Sequence, residues 1–250
     1  MTKLCFMYAC DKKYADFIVP FVYFSSIDNK DACYEFLLTE KIDEKTRESI
    51  DTLSKLLDRK IVLREFNWKV DAKHLRFVET PQSEAEYAYI GDIDIFILED
   101  ILPFHIEQMK KNSLCYDNVQ RLSNPKCMSG LQLCRKDYFS KTASARRKHY
   151  GDAKHNEVML MEILKESGLK IVKPKDFDKA RPVHGIHVSL NCEPFKNNDV
   201  LFWCETRYAQ RFLQLIDEDF YKEKITPLLS EEFIKILDAV MPFIKRFTEA

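Results

Sequence analysis

The amino-acid sequence predicts an α/β fold: a mostly parallel sheet flanked by helices, followed by a helical C-terminal extension. Three patterns predict it. Short apolar runs alternate with stretches of helical periodicity between Lys3 and Phe66, the order that builds parallel sheets with helices on both faces. The first of these runs, after Lys3, is apolar through to Cys10 rather than alternating with polar residues, as in strands covered on both sides. From Leu201 onward no strand pattern returns. With no repeat, low-complexity tract or flexible linker, the chain reads as one domain, residues 1–198 forming the sheet-bearing core and 199–250 the extension.

In order, Lys3 to Cys10 suits a buried parallel strand, the polar Asp11-Lys12-Lys13 breaks it, and Tyr14 to Ile27 has a helical pattern. Ligands of such sheets sit at the carboxyl ends of the strands, here around Ala9, Cys10 and Asp11. Tyr34 to Thr39 reads as the second strand. Glu44 to Leu57 is an amphipathic helix with Ile50, Leu53, Leu56 and Leu57 on its apolar side, and Ile61 to Phe66 is the third strand. Asn67 to Ser83 is polar and irregular, and Arg76 within it reads as an ordinary solvated side chain rather than one that meets a phosphate.

Tyr87 to Leu98 (YAYIGDIDIFIL) reads as one buried strand interrupted by two carboxylates. An uncompensated buried carboxylate costs on the order of several kcal/mol, so Asp92 and Asp94 call for a positive partner, in this setting a divalent cation. Gly91, with no Cβ, lets the chain turn or a ligand approach just before them. The plainer alternative is that Asp92 opens a turn and Asp94 faces solvent.

Asp100 to Lys111 reads as a helix with its acid and lysines placed to suit the dipole. Leu114 to Tyr116 is a short strand, and the Ser129-Gly130 turn feeds another that ends at Arg135. Lys136 to His149 is a helix whose basic end is a solvated face, or else a site for an anionic acceptor or lipid headgroup. The helix entered at Asn156-Glu157 buries Met159, Leu160, Ile163 and Leu164, and Leu169 to Val172 is a further strand. His184 and His187 lie in a β-branched stretch broken by Gly185, suited to bringing an imidazole to a metal. Trp203 to Lys222 and Glu231 to Thr248 read as helices, the second with a kink at Pro242. They pack on the sheet or, alternatively, lie against a membrane surface.

Composition narrows the function. A net charge of −1 excludes a dedicated nucleic-acid binder, which needs an excess of Lys and Arg. With only five glycines there is no glycine-rich dinucleotide or P-loop motif. The eight cysteines include no Cys-x-x-Cys pair, and no apolar leader opens the sequence, so reduced thiols in a cytoplasm are expected. No apolar run reaches transmembrane length.

A strand ending in Asp-x-Asp near mid-chain resembles the metal and nucleotide-sugar site of glycosyltransferases with the GT-A fold, most of all family 8. The resemblance implies that Asp92 touches ribose and metal, and that Asp94 holds a Mn²⁺ or Mg²⁺ bridging the diphosphate. It implies that Tyr14 stacks on uracil, that Ala9, Cys10 and Asp11 line the base, and that Ser129 and Gly130 lie under the donor sugar, although the family's Asn is missing from that turn. Asn156 and Glu157 match the polar pair facing the reacting sugar, although a Glu there also suits the helix dipole. The third metal ligand is His187 or His184, with His187 preferred because it lies beyond Gly185. The expected activity is hexosyl transfer from a UDP-sugar to a saccharide or lipid-linked saccharide, with retention of configuration. Two alternatives are a phosphatase of the haloacid dehalogenase type, whose Asp-x-Asp opens its domain, and a non-catalytic sugar-nucleotide or partner-binding module.

Overall fold

A computed structural model describes residues 2–66, 71–119, 128–151, 156–172, 183–188 and 205–248. Four strands, β1 (Leu4–Cys10), β2 (Ala32–Leu38), β3 (Ile61–Glu65) and β4 (Tyr87–Ile90), run parallel, β1 between β2 and β4. Strand β5 (Ile95–Ile97) leaves that sheet, whereas β6 (Tyr116–Asn118) and β7 (Gln132–Arg135) extend it, giving the order β3-β2-β1-β4-β7-β6 with β7 antiparallel to both neighbours. A small second sheet pairs β5 antiparallel with β8 (Gly185–His187).

Alternation of side chains along the strands divides the core between the two faces of the sheet. One face carries Phe6, Tyr8, Tyr34, Phe36 and Tyr89, covered by α1 (Ile18–Asp28), which is buried from Ile18 to Ser26 and so apolar nearly all round. The other carries Cys5, Met7, Cys33, Leu37 and Ile90, covered by α3 (Ala72–Val78), α5 (Lys136–Lys148) and α6 (Asn156–Glu166). The remaining helices are α2 (Glu44–Leu57), α4 (Leu102–Asn112), α7 (Thr206–Asp217) and α8 (Glu231–Arg246). The last two turn their apolar sides onto the first face: Phe212 meets Phe24 at 4.9 Å between ring centres, and Phe233 meets Phe17 at 5.3 Å. A buried ring of this size contributes about 1.5–3 kcal/mol, so these helices are part of the core. Among the described residues no helix is long and apolar enough to cross a membrane.

Several expectations need correction. Tyr87 to Leu98 is two strands in two sheets, because the chain turns at Asp92–Asp94, where the Ile95 amide donates to the Asp92 carbonyl at 3.1 Å. Asn67 to Ser83 contains a helix, α3, capped by the Asp71 carboxylate accepting from the Lys73 amide. Leu169 to Val172 forms no strand, and the short strand expected at Leu114 begins at Tyr116. The basic end of α5 is not wholly solvated. Arg146 is buried and donates to the Val78, Glu79 and Phe139 carbonyls, which ties α5 to the end of α3.

Candidate active site at the switch point of the sheet

The strand order reverses direction between β1 and β4, and the crevice beyond their carboxyl ends is where open α/β sheets bind ligands. Two chain segments enter it from those strands. From β1, the Asp11 carboxylate accepts the Tyr14 amide at 3.0 Å, a tight turn that leaves Tyr14 half-buried at the edge of the crevice. From β4 the chain passes Gly91, where an added Cβ would lie 3.0 Å from the Tyr8 ring, and then presents Asp92 and Asp94.

A third segment arrives through the small sheet. The β5–β8 register pairs Ile95 with His187, and the Val188 amide donates to the Asp94 carbonyl at 2.6 Å. His187 Nε2 thereby stands 3.3 Å from Asp94 Oδ2. Only glycine fits at position 185, since a Cβ there would lie 1.7 Å from the Phe96 carbonyl oxygen. Asp94 does not face solvent: it is 6% exposed.

The fourth contribution is a residue that the sequence reading weighed as a phosphate contact and set aside as solvated. Arg76 on α3 is buried, pairs with Asp92 at 2.5 Å and donates to the Gly91 carbonyl. Its Nε has no hydrogen-bond partner among the described residues, and a Cβ on Gly130 would lie 2.8 Å from its Nη2. The reading of Arg76 as a solvated side chain is therefore corrected. The signal available was Asp71, a helix-capping residue type ahead of Ala72 to Val78.

These segments enclose a cavity of about 220 Å³. It gathers Ala9, Cys10, Asp11 and Tyr14 with Asp92, Asp94 and His187, and adds Asp71, Lys73 and Arg76. Burial, with Asp11 adding to it, pushes the Cys10 thiol far above its usual range, so it lines the cavity as a neutral group.

Other candidate residues lie outside the lining. The Ser129 hydroxyl accepts the Leu131 amide at 3.0 Å, and the Ser129 backbone is braced on both sides by Asn118, at 2.9 and 3.0 Å. Asn156 caps the next amide, accepting from Glu157 N at 2.9 Å, and the Glu157 carbonyl accepts from Met128, so the start of α6 abuts the Ser129-Gly130 turn. His184 is directed elsewhere, its Nδ1 to Glu99 at 2.6 Å and its Nε2 to His105 at 3.0 Å.

The donor set is two carboxylates and one imidazole, the oxygen and nitrogen chemistry that suits Mn²⁺ or Mg²⁺. Among the described residues no three His, Cys, Asp or Glu side chains converge on one point that would hold a metal, and Asp92 is paired with Arg76. A cation held here would take part of its coordination from a bound phosphate, as Mg²⁺ commonly does.

No protein-family model matches this chain, and no curated protein matches it. Among solved structures, the glycosyltransferase GlyE of Streptococcus pneumoniae TIGR4 superposes with a TM-score of 0.50 at 11% identity, over 66% of this chain and 43% of its own. The mannosyltransferase PcManGT of Pyrobaculum calidifontis, in complex with GDP-Man and Mn²⁺, superposes with a TM-score of 0.50 at 12% identity, over 99% and 73%. The galactosyltransferase LgtC, in complex with donor and acceptor sugar analogues, is more distant in shape, with a TM-score of 0.45 at 14% identity over 64% and 69%. The fold of this chain is thus that of GT-A-type glycosyltransferases.

Proposed function

We propose that this protein is a glycosyltransferase moving a hexose from a UDP-sugar to a saccharide or lipid-linked saccharide acceptor, with retention of configuration, and that a divalent cation is bound together with the diphosphate. One observation carries the reading. Asp94, in the turn before β5, and His187, in β8, come within 3.3 Å and face the same cavity as Asp92 and the Ala9–Tyr14 turn, at the switch point of the sheet.

In this reading Tyr14 stacks on the uracil and Ala9, Cys10 and Asp11 line it. Asp94 and His187 supply an oxygen and a nitrogen to the cation, while Asp92, held by Arg76, turns its carboxylate toward ribose or cation. When bound, the cation neutralises charge that builds on the departing diphosphate. Arg76 and Lys73 are the cavity's own positive groups toward that diphosphate. The Ser129-Gly130 turn and the first turn of α6 face the sugar, with Glu157 and Asn156 offering polar groups to a cationic transition state.

Support comes from the shared fold and from the residue types in the cavity. A thermal-shift screen of UDP-, GDP- and other nucleotide sugars, with and without Mn²⁺, tests it, because a ligand of the native state alone raises the melting temperature. The reading expects the largest rise with a UDP-sugar plus Mn²⁺. Stabilisation by GDP-sugars alone would displace uridine from the proposal, and none by any nucleotide sugar would remove the activity.

A further inference from the structure

Beside the entry to β8, four ionisable side chains form an unbroken line, three of them buried and the fourth, Glu99, half-buried. Asp117 in β6 meets His105 Nδ1 on α4 at 2.8 Å, His105 Nε2 meets His184 Nε2 at 3.0 Å, and His184 Nδ1 meets Glu99 at 2.6 Å. His105 and His184 are 0% and 1% exposed, and the Tyr89 and Phe104 rings pack against them. At its outer end Glu99 also accepts from the Tyr208 hydroxyl at 2.5 Å and from Arg207 at 3.1 Å, both on α7.

We propose that this Asp117–His105–His184–Glu99 chain, holding one proton between its two imidazoles, is a positioning device that fixes the entry to β8 and so sets His187 against Asp94. Proton counting supports the first part. The line has three contacts at ring nitrogens, and each needs one proton between its heavy atoms. Two neutral imidazoles carry only two. With both carboxylates ionised, the third proton makes one imidazolium shared across the Nε2 pair. A missing proton would leave lone pairs facing each other in a buried site, which is costly.

Strand geometry supports the second part. Strand β8 has only three residues, and a slip by one residue would exchange the sides of Ile186 and His187. The residue just before it, His184, adopts φ +65°, and its carbonyl accepts the Leu98 amide at 2.8 Å. Anchoring the ring of His184 at both nitrogens therefore pins the strand where it begins. The line also joins α7 to the entry of β8, so that helix bears on the placement of His187.

The consequence for metal binding rests on the reading of the cavity given above, whereas the chain itself does not, and the test separates the two. Nitrogen-15 NMR of the imidazole side chains should show both Nδ1 atoms protonated and one far-downfield proton shared by the Nε2 atoms. Two neutral rings would overturn the shared proton. In Glu99→Gln and His184→Leu, exchange of the Val188 amide should speed up at least tenfold while the β1 and β2 amides keep their protection. Should His184→Leu fail to fold, Glu99→Gln carries this comparison. Unchanged Val188 exchange in Glu99→Gln would overturn the positioning role. Both variants should lose at least tenfold of the Mn²⁺-dependent gain in UDP affinity and keep metal-free UDP affinity within twofold. Equal loss of both affinities would mark a merely structural role and overturn the proposal. Absence of any Mn²⁺-dependent gain in the unaltered protein would instead count against the metal reading, and the Val188 exchange would still decide the chain's role.

Discussion

Asp94 and His187 stand 3.3 Å apart, carboxylate to imidazole, on either side of a two-stranded sheet only three residue pairs long. Asp94→Asn keeps the shape of the side chain and removes its charge. The expected result is a fall of at least about tenfold, or about 1.4 kcal/mol, in Mn²⁺-dependent UDP affinity, with the melting temperature little changed. Isothermal titration with and without Mn²⁺ measures this, and an unaltered Mn²⁺ dependence would contradict the ligand role.

Arg76 is buried against Asp92, which is 36% exposed at its side chain. Arg76→Met leaves that carboxylate and the Gly91 carbonyl without their donor, at a cost of about 1–3 kcal/mol in urea unfolding. Combining it with Asp92→Asn should recover part of the loss, since the second change removes the charge that Arg76 balanced. Strictly additive losses would mean that the pair contributes nothing.

Gly185→Ala places a Cβ against the Phe96 carbonyl, a backbone atom that cannot swing aside. Separation of β5 from β8 is expected, with stability falling by about 1–3 kcal/mol and the Mn²⁺-dependent part of nucleotide binding lost. Full retention of Mn²⁺-dependent binding would show that His187 is placed by something other than this pairing.

Burial pushes the Glu99 carboxyl up, but hydrogen bonds from His184 and Tyr208, aided by His184 and Arg207 charge, outweigh it and hold the group below its usual 4.5. A depressed folded-state value means that the stabilisation is present above the unfolded value and is lost as pH falls through the folded one. The stability advantage of the unaltered protein over Glu99→Gln should therefore be largest near neutrality and shrink as acid is added below about pH 4.5. A constant difference in chemical denaturation across that window would refute the assignment.

Glu157→Gln distinguishes a role in transfer from an ordinary helix start. Facing the donor sugar, the carboxylate should matter chiefly in the transition state, so kcat should fall at least about a hundredfold with little change in nucleotide affinity. Near-normal turnover would remove Glu157 from the site.

Much of this fold is legible in local patterns. Glu44 to Leu57 forms a helix with those ends, and Met159, Leu160, Ile163 and Leu164 form its buried side in α6 because their spacing follows the helical period. The apolar runs at Leu4–Cys10 and Ile61–Glu65 became parallel strands for the same kind of reason. What escaped is set by pairing between distant segments. Gly91 and Asp92 allowed a turn, but nothing local says that Ile95–Ile97 pairs in another sheet, since both halves of Tyr87 to Leu98 are equally strand-like. Helix α3, at seven residues, is too short for periodicity to reveal, and Arg76 went with it. His105 and Asp117 belong to no motif: a histidine within α4 and an aspartate within β6 acquire meaning only when the fold places them 2.8 Å apart.

The central claim is that Asp94 and His187 bind a cation together with a nucleoside diphosphate, and Mn²⁺ binding followed by electron paramagnetic resonance tests it most directly. With few protein ligands on the cation, Mn²⁺ alone should bind weakly, and added UDP should convert it to one tightly bound ion per chain, an effect lost in Asp94→Asn and His187→Ala. Mn²⁺ that stays free when UDP is added, or that binds equally well to both variants, would contradict it.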